Sequence, residues 1–311
     1  MAVSGSKNYT ITGTDIVNSA LRKTGDYDIG EPVNGDETAA ALTALNLMVK
    51  AWVARGVGLW LRDEVTLFLQ KDIQSYTMGT SGTAESTTSY VETTLSAAEA
   101  SGQTVISVTD STGMTASDRV GIKMDDNSIH WTTIVSVDSS TQITITTATD
   151  DDAASGNKVY AYTTKADRPQ RIKYAFRRDT SDIDTEIRVV GQNEYYRLSN
   201  KGSAGPTTEV WYDPRLTTGK IFVWPVDGGS TVDKVVLLAD MLPDDFDVVA
   251  NNPEFPIEWG EALVYNLADR LAPEYGMPRL ERRELKIEAR EMLEAMLDYD
   301  VEHASVIFGM K

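Results

Sequence analysis

From Pro256 to Lys311 the chain carries two helical patterns broken by a proline pair, and no other stretch constrains the fold as much. In PIEWGEALVYNLADRLAPEYG the residues Trp259, Ala262, Leu263, Asn266, Leu267 and Leu271 recur at helical spacing, giving one apolar stripe that only Asn266 interrupts. Pro273 and Pro278 bracket a turn, and Gly276 between them supplies the backbone freedom to reverse direction. A second helix is predicted over Arg279 to Tyr299, with Leu285, Ala289, Met292 and Met296 on its apolar face. Together they read as a helical hairpin. The segment that follows, DVEHASVIFGMK, alternates apolar residues at Val301, Val306 and Phe308 but is too short to bury them in a core of its own.

Charge on the second of these helices is segregated. At about 100° per residue, Glu281, Glu284, Glu288 and Glu291 fall on one flank of the apolar face, and Arg279, Arg282, Lys286 and Arg290 fall on the other. Several neighbours at four-residue spacing carry like charge, among them Glu284 with Glu288 and Lys286 with Arg290. Such pairs cost a few tenths of a kcal/mol each in an isolated helix. The pattern suits two arrangements equally. In one, a solvated helix pairs its stripes with other parts of the same chain; in the other, its acidic edge meets the basic edge of another copy, head-to-tail, closing into a ring when the rotation allows.

Near the start, TGTDIVNSALRKTG predicts a short helix capped by Thr14 or Asp15 and closed by Gly25. DETAAALTALNLMVKAWVARG predicts a longer one, with Leu42, Leu45, Val49 and Trp52 in register, a cap at Asp36 and an end at Gly56. The period then changes to the alternation of a strand at Val65, Leu67 and Leu69, and a second strand runs through Tyr76.

Between Gly79 and Lys165 the chain becomes rich in Ser and Thr and loses any helical period. Five β-rich runs, TVISV, VGIKM, IHWTTIVSV, QITIT and KVYAY, are spaced by turn residues and predict a small β-barrel or sandwich, with the Ser/Thr tract before Tyr90 as a flexible linker. Mixed strands return after Arg168, with a short helix around Asn193 to Leu198. The expected fold is therefore α+β: a helical body with N-terminal helices, antiparallel strands and the C-terminal hairpin, made from residues 1–79 and 166–311, and carrying residues 80–165 as an inserted β domain that folds as a separate unit.

The chemical inventory is sparse. With no cysteine and two histidines, thiol chemistry is excluded and a zinc site is disfavoured. His130 and His303 lie in unlike contexts, and Gly79 to Thr87 has no phosphate-loop lysine. Asp150, Asp151 and Asp152 lack the ligand spacing of a calcium loop and read as a solvated turn. Trp211, Tyr212, Phe222 and Trp224 sit in strands, where aromatic residues are usually core. No catalytic residue, cofactor or metal site is expected. No stretch reaches the length of a membrane span and the N-terminus lacks a signal-peptide pattern, so manufacture in a cytoplasm is expected.

Four segments carry a resemblance to a family. They are the helical pair ending in AWVARGVGLW, the stretch EYYRLSNKGSAGPTTEVWYDPRLTTGKIFVWPV, the hairpin FPIEWGEALVYNLADRLAPEYG and the closing DVEHASVIFG. Their order resembles the head-to-tail adaptor (tail tubular, or packaged-DNA stabilisation) proteins of short-tailed bacteriophages; the long β-rich insertion departs from that pattern. The resemblance implies a non-enzymatic virion protein that forms a ring, usually a dodecamer, at the portal vertex between head and tail. Its partners would be the portal protein on one side and tail nozzle or fibre proteins on the other. The docking tail would carry Val301, His303, Val306, Ile307 and Phe308 to the portal. DNA would pass through the channel without specific binding; a formal net charge of −18 fits a wall that repels phosphate and equally a surface charged for solubility. Two other classes stand beside this one: a cell-wall glycoside hydrolase built on a carboxylate pair, and a carbohydrate- or receptor-binding tail module acting through the insertion.

Overall fold

The computed structural model of the chain describes residues 5, 6, 8–179, 181–229 and 232–299. It contains helices α1 (Gly13–Thr24), α2 (Gly35–Ala54), α3 (Gln192–Arg197), α4 (Gly260–Leu271) and α5 (Arg279–Tyr299). The strands are β1 (Arg62–Phe68), β2 (Ser75–Met78), β3 (Ser86–Thr87), β4 (Val91–Thr94), β5 (Val105–Ser107), β6 (Arg119–Lys123) and β7 (Ile129–Ser139). They continue with β8 (Gln142–Ile145), β9 (Lys158–Tyr162), β10 (Arg171–Asp179), β11 (Asp184–Val189), β12 (Glu209–Pro214), β13 (Gly219–Trp224) and β14 (Val232–Asp240). Two compact units result, Met1–Leu61 with Leu242–Lys311, and Arg62–Met241.

In the first unit α1, α2, α4 and α5 share one core, to which they contribute Ile16, Leu21, Leu45, Trp52, Leu263, Leu267 and Leu285 among others. α1 starts earlier than the sequence pattern predicts. Thr12 accepts a hydrogen bond from the Asp15 N–H and the Asp15 carboxylate accepts one from the Thr12 N–H, a reciprocal cap that satisfies two otherwise orphaned donors. Asn34, not Asp36, caps α2. Gly25 closes α1 at φ 86°, a left-handed conformation that favours glycine.

The second unit overturns the expected helical body. Among the described residues the chain is mostly β, with one eight-stranded and one six-stranded sheet set against five helices, of which only α3 belongs to this unit. The eight-stranded sheet runs β2-β13-β12-β11-β10-β14-β1-β3. Its long strands are β1, β10 and β14, and β14 pairs antiparallel with both of the others. The single β11–β12 pair is parallel. The sheet curls round its own core, so that Leu67 of β1, Met78 of β2, Ile172 of β10, Ile221 of β13 and Leu237 of β14 pack together. The strands on either side of the insertion were legible one by one; what was hidden is that they pair across it into a body larger than the helices.

The six-stranded sheet, β4-β9-β6-β7-β8-β5, curls until β4 and β5 meet through the Leu95–Val108 bridge. Alternation fills its interior with Ile106, Val120, Ile122, Ile143, Ile145 and Val159. Part of its Ser/Thr content lies on the outer face, where Thr94 pairs with Thr109 and Thr133 with Thr146 at 2.9 and 2.7 Å. Gly121 is opposite Trp131 in the β6–β7 ladder, and a Cβ there would stand 2.7 Å from the indole.

The stretch before Tyr90 is no linker. Ala84, Glu85, Ser86 and Thr87 are buried, and β3 pairs with β1. Thr87 donates its hydroxyl to the carbonyls of Ser89 and Thr164. Its hydroxyl-rich composition resembles that of a solvated tether, but here the polar groups are bonded within the fold.

Candidate functional site

In the first unit α5 exposes most of its surface. α4 holds α5 in place through Asn266, whose Nδ2 donates to the Ala262 carbonyl at 2.9 Å and to the Ala289 carbonyl of α5 at 2.8 Å. Asn266 thus interrupts the apolar stripe in order to pin two helices. Of the 21 residues of α5, Leu285 and Ala289 alone are buried, with Met292, Leu293 and Met296 packed at the edge of the core. The remaining surface faces outward, and Leu280 and Ile287 on it are 77% and 49% exposed.

All eight charged residues expected on an interface are exposed on this helix: Arg279, Glu281, Arg282, Glu284, Lys286, Glu288, Arg290 and Glu291. Arg290 is held by Glu294, Nε to Oε1 at 2.7 Å, one turn further along. The other seven form no ion pair among the described residues. Arg279, Arg282 and Lys286 line a groove of about 740 Å³ together with Arg283 and Leu280, and Asp269 of α4 faces them. Sequence reading missed Arg283 and Leu280. The i, i+3, i+4, i+7 spacing of residues 279, 282, 283 and 286 was the available signal for Arg283. The expected docking residues Val301, His303, Val306, Ile307 and Phe308 lie outside the described residues.

Several residues singled out in the sequence are bonded within the fold. His130 is buried, with Nδ1 3.0 Å from Asp150 Oδ1 and Nε2 3.2 Å from the Thr147 carbonyl, and no nucleophile stands at either nitrogen among the described residues. Asp152 accepts the Ser101 N–H at 2.8 Å and Asp125 accepts those of Ala154 and Asn157 Nδ2, each at 2.9 Å, so these carboxylates order turns. Among the described residues no group of three or more acidic or histidine side chains is placed to hold a metal. The strand aromatics are packed: Trp211 stacks on Phe222 at 4.6 Å and lies 5.3 Å from Tyr195. Trp224 Nε1 donates to the Asn200 carbonyl at 2.8 Å and the Tyr212 hydroxyl donates to that of Pro169, while burial pushes the Tyr212 hydroxyl up to about 12.

Glu85 is a buried carboxylate with three cationic or phenolic groups around it. It lies between the two sheets and accepts from the Tyr162 hydroxyl and from Arg119, with Lys165 Nζ at 3.7 Å. Burial and the bond to Glu85 raise the Tyr162 pKa. On Arg119 burial acts in the opposite sense, but hydrogen bonding and charge from Glu85 outweigh it and hold the guanidinium charged. With its oxygens committed to fixed donors, Glu85 joins the sheets; it is not presented to a substrate. No helix among the described residues is long and apolar enough to cross a membrane. No family model matches the chain, and no curated protein matches it.

Proposed function

We propose that the chain is a structural head-to-tail adaptor of a short-tailed phage virion, a ring at the portal vertex that extends the DNA channel and carries the tail nozzle or fibres. The observation that carries this reading is α5, a helix of 21 residues that buries two and turns segregated stripes of charge outward. A helix serving only its own fold would bury a wider face. A contact repeated round a ring can be built from individually weak pairs, because every copy contributes one edge of each kind and the same contact recurs at every step. The sequence resemblance supplies the partners: portal protein on one side, tail proteins on the other, and DNA passing a wall of net negative charge without specific binding. On this reading the chain is not an enzyme and needs no cofactor; it is made in the host cytoplasm and works in the virion.

Portal docking falls to the C-terminal segment with Val301, His303, Val306, Ile307 and Phe308, and contact between copies to the charged residues of α5. The test is truncation. Deleting Val301 to Lys311 should leave the helical content and unfolding transition of the remaining chain intact while abolishing co-sedimentation with portal rings of the same phage. Undiminished binding by the truncated chain would remove the tail from the docking surface.

A further inference from the structure

Two grooves of opposite charge flank the turn that joins α4 to α5. The first is the cationic groove of Arg279, Arg282, Arg283 and Lys286, with Leu280 at its lip. The second, of about 650 Å³, is lined by Asp26, Asp36, Glu37, Glu274 and the ring of Tyr275. The turn itself divides them: Pro273 lines the first, Glu274 and Tyr275 line the second, and no residue lines both.

Neither groove neutralises itself. The four cations form no ion pair among the described residues and face one acid, Asp269. In the second groove Glu37 accepts from the Tyr27 hydroxyl, while Asp26, Asp36 and Glu274 form no ion pair among the described residues. The phenols register the resulting field. The bond to Glu37 pushes Tyr27 up to about 12, and Tyr275 is raised by burial first and then by the charges of Glu37, Glu274 and Asp26.

We infer that the cationic groove of one copy seats on the acidic groove of the next. This deepens the ring reading of α5 and rests on it. Charge complementarity selects the occupant, since four cations that form no ion pair among the described residues, on a chain of net charge −18, meet their opposite on another copy of the same unit. A contact between two different grooves is head-to-tail, and it closes into a ring where the rotation between copies allows. A nucleic-acid phosphate backbone would also suit the cations, but it would leave exposed Leu280 and the acidic groove without a role. The Glu281, Glu284, Glu288 and Glu291 stripe competes for the same cations, but it lines neither groove.

The chain has no cysteine, so an introduced thiol is the only one present. The experiment mixes full-length Arg283→Cys with size-tagged Glu37→Cys at low salt under a mild oxidant and reads the cross-linked species on a non-reducing gel. Mixed dimers should exceed both homodimers several-fold, and the excess should vanish in high salt. The double variant Arg283→Cys/Glu37→Cys should give a ladder of multimers. Random pairing would overturn the inference, as would preferential pairing of Arg283→Cys with Glu284→Cys. Binding of a DNA duplex that is lost in Arg282→Glu/Arg283→Glu would reassign the groove to a polyanion. No portal takes part, so failure here leaves portal docking untouched, and failure of portal docking leaves these cross-links in place.

Discussion

Phe68 and Lys234 stand opposite each other in the β1–β14 ladder, and both turn away from the core of their own sheet toward the six-stranded one. Alternation along the strands produces this. Leu67 of β1 and Val235 of β14 point into the eight-stranded core, and the next residue on each strand points the other way. The Phe68 ring meets Tyr160, Trp131 and Tyr90 at centroid distances of 4.9, 5.1 and 5.3 Å. Lys234 Nζ reaches Glu92 Oε2 at 2.7 Å and lies over the rings of Tyr90 and Tyr160. An aromatic plug and a buried cation thus fasten the insertion to the sheet, beside the Glu85 cluster.

Phe68→Ala should destabilise the Arg62–Met241 unit by about 3–5 kcal/mol, because a fully buried ring surrounded by rings leaves a cavity that stiff neighbours fill poorly. Urea unfolding followed by circular dichroism measures it. By the same reasoning the insertion cut out alone would expose Tyr160, Tyr162 and Trp131, and should bind a hydrophobic dye that the intact chain does not.

Lys234 and Glu92 should respond unequally. Lys234→Met leaves Glu92 with Lys158, whereas Glu92→Gln leaves a buried ammonium with only the more exposed Asp182 and tyrosine rings. Glu92→Gln should therefore cost more, on the order of 3 kcal/mol. The pH dependence has a definite sign. Burial lowers the Lys234 pKa, but bonding to Glu92 and the neighbouring Tyr90 and Glu92 charges raise it further, so the net shift is upward from 10.5. The contribution is then fully present below 10.5 and is lost as pH rises through the folded value. The stability gap between wild type and Lys234→Met should hold constant from neutral pH to the unfolded lysine value and narrow above it.

Asn266 donates to carbonyls on two helices, so Asn266→Asp, which sets a carboxylate against two acceptors, should destabilise more than Asn266→Leu. The expected losses are about 1–3 kcal/mol for the leucine variant and more for the aspartate variant at neutral pH. Thermal unfolding of both variants below and above the aspartate pKa checks the order. Protonating the introduced carboxyl restores a donor and should recover part of the loss.

How much of this was legible follows from sequence distance. The 3.6-residue period located α5 from Arg279 to Tyr299, because that pattern is local and Pro278 marks its start. The runs that became β5 to β9 were visible for the same reason. Pairing was not, since nothing at Leu67 announces Val235 as its ladder partner. Helical periods are local and strand pairing is not, so the sequence pattern overstates the helical share of the body. The burial of residues 84–87 was masked by hydroxyl composition. The acidic groove escaped because it gathers Asp26, Asp36 and Glu37 from one end of the chain and Glu274 from the other.

The adaptor reading is tested most directly by imaging the full chain mixed with portal rings of the same phage, by negative-stain electron microscopy. The account predicts class averages in which one face of the portal carries a second coaxial ring with an open channel, formed by many copies and loosened by high salt. Portal rings that remain bare at protein concentrations far above stoichiometric would contradict it.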